Sequence, residues 1–399
     1  MNKLNELIQK LCPDGVRFYE LGEVAHYAKG RIDAADVDEN TYVGVENLLQ
    51  NKMGKTLATS VPTSGVVIAF HPGNILIGNI RPYLRKIWLA DCDGGTNGDV
   101  LTIQIDDEAN LLPKYLYYVL SSEQFFYYDI QNCKGAKMPR GSKDAVLRYS
   151  VPVPPPAVQC EIVHILDNFT ELTAELTAEL TARQKQYLYY RENLLSFDDE
   201  NVPLLELRSV VKKSCSGSTP TKANSEYYTN GTIPWIRTQD VRFNEITEVD
   251  SYITQKAVEE TAVKWIPENC VIVAISGASA GRCAINKIKA TTNQHCLNLE
   301  IDEAKALYKY VYFCVYSKYD ELLSRKQGAR GDLNSSLVLS LQIPVPPIED
   351  QQRIVAILDR FDTLCNDLSA GLPAEIEARQ KQYEYYRDKL LSFKEVGRC

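Results

Sequence analysis

The sequence predicts an α+β protein of two mixed α/β heads and two long helical arms, arranged as an internal, pseudo-twofold repeat. Three observations predict it. Arg183-Gln184-Lys185-Gln186-Tyr187, followed by Tyr190-Arg191 and Leu194-Leu195-Ser196-Phe197, returns as Arg379-Gln380-Lys381-Gln382-Tyr383, Tyr386-Arg387 and Leu390-Leu391-Ser392-Phe393, an offset of 196. Upstream, Val151-Pro152-Val153-Pro154-Pro155 and Ile162-Val163-His164-Ile165-Leu166-Asp167 return as Ile343-Pro344-Val345-Pro346-Pro347 and Ile354-Val355-Ala356-Ile357-Leu358-Asp359, an offset of 192. Third, a heptad seam follows each proline run. So long a period excludes a solenoid, whose units run to roughly 20–50 residues. The boundaries are residues 1–155 and 201–345 for the heads, and 156–200 and 346–399 for the arms.

Each arm begins where proline restricts the entering chain and is tolerated in a first helical turn. Ile162, Ile165, Phe169, Leu172 and Leu176 then recur at alternating spacings of 3 and 4, the seam of a packed helix. Some 40 residues make a rod of about 60 Å. The second arm repeats the seam with Ile354, Ile357, Phe361, Leu364 and Leu368, until Gly371 and Pro373 predict a break. The first arm carries a Thr-Ala-Glu-Leu tandem over residues 171–182, where the second arm is four residues longer. Four residues are about one helical turn, so such a unit is gained or lost without breaking the helix.

In the heads, residues 66–70, 75–77, 87–90 and 100–105 read as short strands, and 114–120 and 309–316 as aromatic-rich helices. The heads share sparse anchors: Thr96-Asn97 with Thr292-Asn293, and Lys114-Tyr115-Leu116-Tyr117 with Lys309-Tyr310-Val311-Tyr312. Between anchors they diverge. Similar frames with different loops suit two related ligand surfaces of different specificity.

Composition is that of an ordinary soluble globular protein: 45% hydrophobic and 24% charged. No apolar run approaches the roughly 18 residues of a membrane span, and no signal peptide is recognisable at Met1. Eleven cysteines, none spaced C-x-x-C, point to free thiols in a reducing cytoplasm. The net charge of −8 argues against nucleic acid until its distribution is considered. Residues 157–200 hold 3 basic and 9 acidic side chains, and residues 346–399 hold 8 and 10. The arms therefore account for the whole excess, and neutral heads can carry basic faces.

No self-contained active site is visible. Met53-Gly54-Lys55-Thr56 resembles the end of a P-loop, but Leu49 stands where the first glycine belongs. There is no G-x-G-x-x-G and no Asn-Pro-Pro-Tyr loop, and the four histidines stand apart. Basic loops with glycine and aromatics do occur. One holds Asn79, Arg81, Tyr83, Arg85 and Lys86; another holds Lys134, Lys137, Arg140 and Lys143. The second copy offers Arg325, Lys326, Gln327, Arg330 and Asn334 just before its arm. Glycine lets a backbone approach a phosphate, Arg and Lys neutralise it, and Arg, Gln and Asn pair with base edges.

These repeats, together with Gln351-Gln352-Arg353-Ile354-Val355, resemble the specificity subunit of type I restriction–modification systems. So do Gly217-Ser218-Thr219-Pro220, Ile233-Pro234-Trp235-Ile236 and the following Arg237, and Gly78-Asn79-Ile80-Arg81-Pro82-Tyr83. The Thr-Ala-Glu-Leu tandem is similar to the IC branch of that family. The resemblance implies two target recognition domains, each reading half of a split double-stranded DNA site. It implies arms packed as an antiparallel coiled coil that dock two methyltransferase (M) subunits. It adds Thr219 and Arg237 to the DNA-binding candidates. Cofactors are expected in partners only: S-adenosylmethionine with the methyltransferases, ATP and Mg with restriction (R) subunits. Cys160, where the second arm has Gln352, departs from the repeat. Two other classes compete. An enzyme with an unrecognised site would bind S-adenosylmethionine or ATP alone, and a coiled-coil adaptor would show no salt-dependent binding to a duplex.

Overall fold

The computed structural model describes residues 2–197, 202–326, 332–367 and 369–396. The chain forms two compact units, residues 1–177 with 376–399, and residues 178–375. Each unit holds one head, the near part of the arm that leaves it, and the far part of the other arm.

In the first unit, Ala25–Tyr27, Val100–Ile105, Ile75–Gly78 and Ile87–Leu89 form an antiparallel four-stranded sheet in that order. A second sheet runs Arg31–Asp33, Val66–Phe70, Gly94–Thr96, Tyr42–Val43, the last pair parallel. Both faces of this sheet are covered: Leu76 and Val100 are buried on one, and Ile75, Ile77, Leu101 and Ile103 on the other. The latter four pack on Tyr115, Leu116 and Val119 of helix Pro113–Leu120. In the second unit Val211–Ser216, Cys296–Ile301, Val271–Ala274, Cys283–Asn286 and Glu245–Ile246 form the corresponding sheet. Helix Tyr308–Ser317 covers it with Tyr310, Val311, Phe313 and Cys314. The other sheet is Tyr252–Ile253, Ile233–Ile236, Ala290–Thr292 and Trp265–Ile266. The four strands expected in the first head and the aromatic helices expected in both heads are present.

The first arm is one helix, Pro156–Leu194. Thr173 and Thr177 sit in its interior with each hydroxyl returned to the carbonyl four residues earlier, at 2.8 and 2.7 Å. The second arm is two helices, Ile348–Asn366 and Leu372–Leu390, broken where expected. Asp367 accepts from the backbone N–H groups of Ser369 and Ala370. A Cβ at Gly371 would lie 2.4 Å from the Thr363 carbonyl oxygen, so only glycine passes there. Leu368 lies outside the described residues.

The seam differs from the heptad expectation near each head. Val158, Ile162 and Leu166, four apart, are fully buried, while Ile165 and Phe169 are half-buried. In the second arm Leu358 is buried and Ile357 is 39% exposed. The reason is the partner. Against the head an arm presents an i, i+4 stripe, and it meets another helix only farther along. In the first unit Phe169 stacks on Tyr386, ring centroids 5.4 Å apart. In the second, Tyr187 and Tyr190 stack on Phe361, at 6.2 and 5.3 Å.

The repeated tail motif closes a head core. Tyr383, Tyr386, Leu390 and Phe393 join the first head's core, and Tyr187, Leu194, Leu195 and Phe197 the second's. The tail of each arm thus completes the head preceding the other arm. The repeated arginines are buried within these contacts. Arg387 lies over Tyr383 and bonds Asp388 through Nε and Nη2 at 3.0 and 2.9 Å. Arg191 lies 4.0 Å over the Tyr316 ring.

Candidate nucleic-acid interface

In the first head, sequence-distant loops are laced together by backbone hydrogen bonds. Arg81 N–H donates to Pro139 O at 2.7 Å, and Gly141 N–H to Asn79 O at 3.0 Å. Lys134 and Arg140 exchange both backbone bonds at 2.9 Å, closing a turn with Gly135 at φ 96°. Asn79 N–H donates to Asp99 O, so the 97–100 turn joins the same surface. Arg81, Lys134, Lys137, Arg140 and Lys143 are exposed here, with Tyr83 51% and Met138 50% exposed among them. Arg140 is tethered by an ion pair to Asp99 at 3.0 Å. The result is a basic, aromatic-bearing surface on two braced loops.

Other candidates in this head are committed internally. Lys86 donates to the Val45 carbonyl at 2.6 Å, and burial lowers its pKa. Arg85 pairs with Glu123 at 2.8 Å, beside Lys52. Burial pushes the Glu123 carboxyl up, but Lys52 and Arg85 outweigh it and hold it below its ordinary value. Asn79 is only 6% exposed and lies beneath the loops. Its Oδ1 and the Oδ1 of buried Asp129 find no hydrogen-bond partner among the described residues. Both converge on Gly141, where a Cβ would sit 2.8 and 2.7 Å from them. Burial raises the Asp129 carboxyl to about 6.

The second head builds the equivalent surface from other residues. Gly217 approaches Thr292 so closely that a Cβ would lie 1.9 Å from its carbonyl oxygen. Ser218 N–H donates to the same oxygen at 3.0 Å, and Trp235 Nε1 to Ser218 O at 3.2 Å. This sets Thr219 beside Gln294: the Thr219 hydroxyl donates to Gln294 Oε1, and Gln294 Nε2 meets His295 Nε2 at 3.1 Å. Asn293 N–H donates to Ile236 O, bringing in the Arg237 turn, whose backbone N–H donates to Asp240 at 2.8 Å. The Arg237 Nε is buried without a partner among the described residues.

Before the second arm, Arg325 and Asn334 hold the local structure together. Arg325 donates to Leu337 O and Ser340 Oγ at 3.1 and 3.2 Å and pairs with Glu321. Asn334 caps helix Ser335–Leu339 by accepting from Leu337 N–H at 2.9 Å. Lys326 is half-buried, and Gln327 and Arg330 lie outside the described residues. Gln294 and His295 were not among the sequence candidates. The available signal was their place immediately after the Thr292-Asn293 anchor. His71 and His26 each meet a carboxylate at the surface, Asp93 and Asp106. No group of three or more metal-ligating side chains occurs among the described residues. No helix among them is long and apolar enough to cross a membrane.

Comparison with known proteins identifies the family of the chain. The family model described as "Type I restriction modification DNA specificity domain" matches residues 13–183 and 200–378. The chain is 41% identical over 304 residues to the EcoR124I/EcoR124II type I restriction enzyme specificity subunit of Escherichia coli, covering 72% of each chain. It is 32% identical over 395 residues to a protein of Haemophilus influenzae described as a type I restriction enzyme specificity subunit. That match covers 91% of this chain and 97% of the other. Its fold matches a chain from a structural study of complex assembly and conformational transition of the type I R-M system. The TM-score is 0.65 at 17% identity, over 94% and 97% of the two chains.

Proposed function

The chain belongs to the type I restriction modification DNA specificity family, and from that premise we propose that each head reads one half of a bipartite DNA target. The chain is the DNA sequence-specificity subunit of its system and is not itself a catalyst. The heads at residues 1–155 and 201–345 meet the duplex. The arms at 156–200 and 346–399 set their spacing and dock two methyltransferase subunits. Those partners carry S-adenosylmethionine, and restriction subunits carry ATP and Mg. A cytoplasmic location accords with DNA as the ligand and with these partners.

The observation that carries this reading is the braced surface of Arg81, Lys134, Lys137 and Arg140, with exposed Tyr83 on the Arg81 loop. Exposed cations on two loops locked by backbone bonds fit a phosphate backbone, while the sheet-end turns beside them are free to meet base edges. The test is duplex binding by the assembled complex across a salt series. A log–log slope of several units, shallower when these cations are removed, supports DNA reading. A flat salt response favours the coiled-coil adaptor instead.

A further inference from the structure

We propose that Gln294 reads an adenine edge in the major groove, within the half-site that the second head recognises. The inference rests on the DNA-reading function above and names a residue and a base for it. Gln294 is exposed, yet its amide is held. Thr219 donates to Oε1, and Nε2 donates to His295 Nε2 at 3.1 Å. Thr219 is itself anchored, through the Gly217–Thr292 approach and the bond from Ser218 N–H to Thr292 O. His295 is fixed by its backbone N–H to Asn293 Oδ1 at 3.1 Å, and its carbonyl accepts from Ile275 N–H at 2.9 Å. A free surface glutamine loses side-chain entropy when it binds; this one has lost it already.

The remaining valences define the ligand. An amide oxygen has two lone pairs and an amide nitrogen two hydrogens. With one of each used internally, Gln294 keeps one acceptor and one donor. Adenine is the base that presents a matching pair in the major groove, the N6 amino donor and the N7 acceptor. Guanine presents two acceptors there, which leaves Oε1 facing an oxygen or nitrogen lone pair. Placement agrees. Asn97 and Asn293 are equivalent anchors, so Gln294 corresponds to Gly98 of the first head. Gly98 precedes Asp99, which pairs with Arg140 on the basic surface. At this place the first head has no side chain and the second has a held amide, as different half-sites require.

The experiment uses the complex with its methyltransferase partners and competition binding to duplexes varied one position at a time. Gln294→Ala should lower the preference for A·T at a single position of the second half-site by roughly 5- to 150-fold, the worth of one bidentate pair. The first half-site and the salt slope should stay unchanged, because Gln294 carries no charge. Gln294→Glu should move that position towards cytosine, whose N4 donates. Thr219→Val should weaken the same position and no other. Equal thermal stability of the variants checks that the head is folded. Wild-type discrimination at every position in both Gln294 variants overturns the assignment. A wild-type complex that binds all duplexes alike removes the DNA-reading function beneath it.

Discussion

Gln159 and Gln351 make the same joint in the two halves of the chain. Gln159 accepts from Leu112 N–H at 2.8 Å and donates to Asn110 O and Pro154 O, both at 2.7 Å. Gln351 accepts from Leu307 N–H at 2.9 Å and donates to Lys305 O and Pro346 O, at 3.4 and 2.8 Å. Each is fully buried in the first turns of its arm. Around each joint a tyrosine hydroxyl bonds the proline run, Tyr115 to Pro152 O and Tyr310 to Pro344 O, both at 3.0 Å. A lysine from the head helix reaches the arm, Lys114 to Asp167 at 2.8 Å and Lys309 to Asp359 at 2.7 Å.

Truncating either glutamine should destabilise its unit. Gln159→Ala strands a buried N–H and two carbonyls, and each such group costs about 1–3 kcal/mol less whatever water recovers. A loss of about 2–5 kcal/mol in urea unfolding is expected, and the same for Gln351→Ala. A change below about 1 kcal/mol would mean that the joint is held by packing alone.

Surface and committed cations should separate cleanly. Lys134→Ala and Lys137→Ala should each reduce the salt slope of DNA binding by up to about one unit without loss of stability. Arg140→Ala should reduce it less, because Asp99 already draws that charge. Lys86→Ala and Arg325→Ala should lower thermal stability and leave the slope unchanged. Measuring slope and melting temperature on the same preparations distinguishes the two groups.

The Asp129 carboxyl gives a pH dependence of definite sign. Its folded value is raised from 3.8 to about 6 by burial, so between those values the folded state holds more proton than the unfolded. Stability therefore falls as pH rises through that window and levels above it. Asp129→Asn removes the titration and offers Asn79 Oδ1 a donor. The variant should match wild type near pH 4 and exceed it by up to about 3 kcal/mol above pH 6. Parallel pH profiles of the two proteins would show that Asp129 is not the source of this pH dependence.

The first arm should behave as a ruler. Its helix is uninterrupted through the Thr-Ala-Glu-Leu tandem. One more unit inserted after Leu180 adds about 6 Å and a net turn of about 40°. A base pair rises about 3.4 Å and turns about 35°, so rotation favours one added base pair. Methylation mapping should find the gap between half-sites longer by one pair and both half-sites unchanged. An unaltered gap at full activity would mean that the arm does not set the spacing.

What the sequence determined by itself is what local chemistry and repetition encode. Two copies at offsets of 192 and 196 declare two heads and two arms. Proline runs mark where arms begin, Gly371 and Pro373 where the second breaks, and short apolar runs mark the strands of the first head. The tertiary structure alone decided which groups are spent and which are available. Lys86 and Lys137 are equally basic in the sequence, but a carbonyl 41 residues away claims the first. Gln159 reads as an ordinary polar helix residue until the loop 47 residues before it supplies its partner. Likewise the tail of each arm repeats faithfully, but only folding brings Tyr187 to Phe361 and Tyr386 to Phe169. The physical reason is common to all of these. Propensity and periodicity act over a few residues, whereas burial and hydrogen-bond satisfaction depend on groups the chain brings together from far apart.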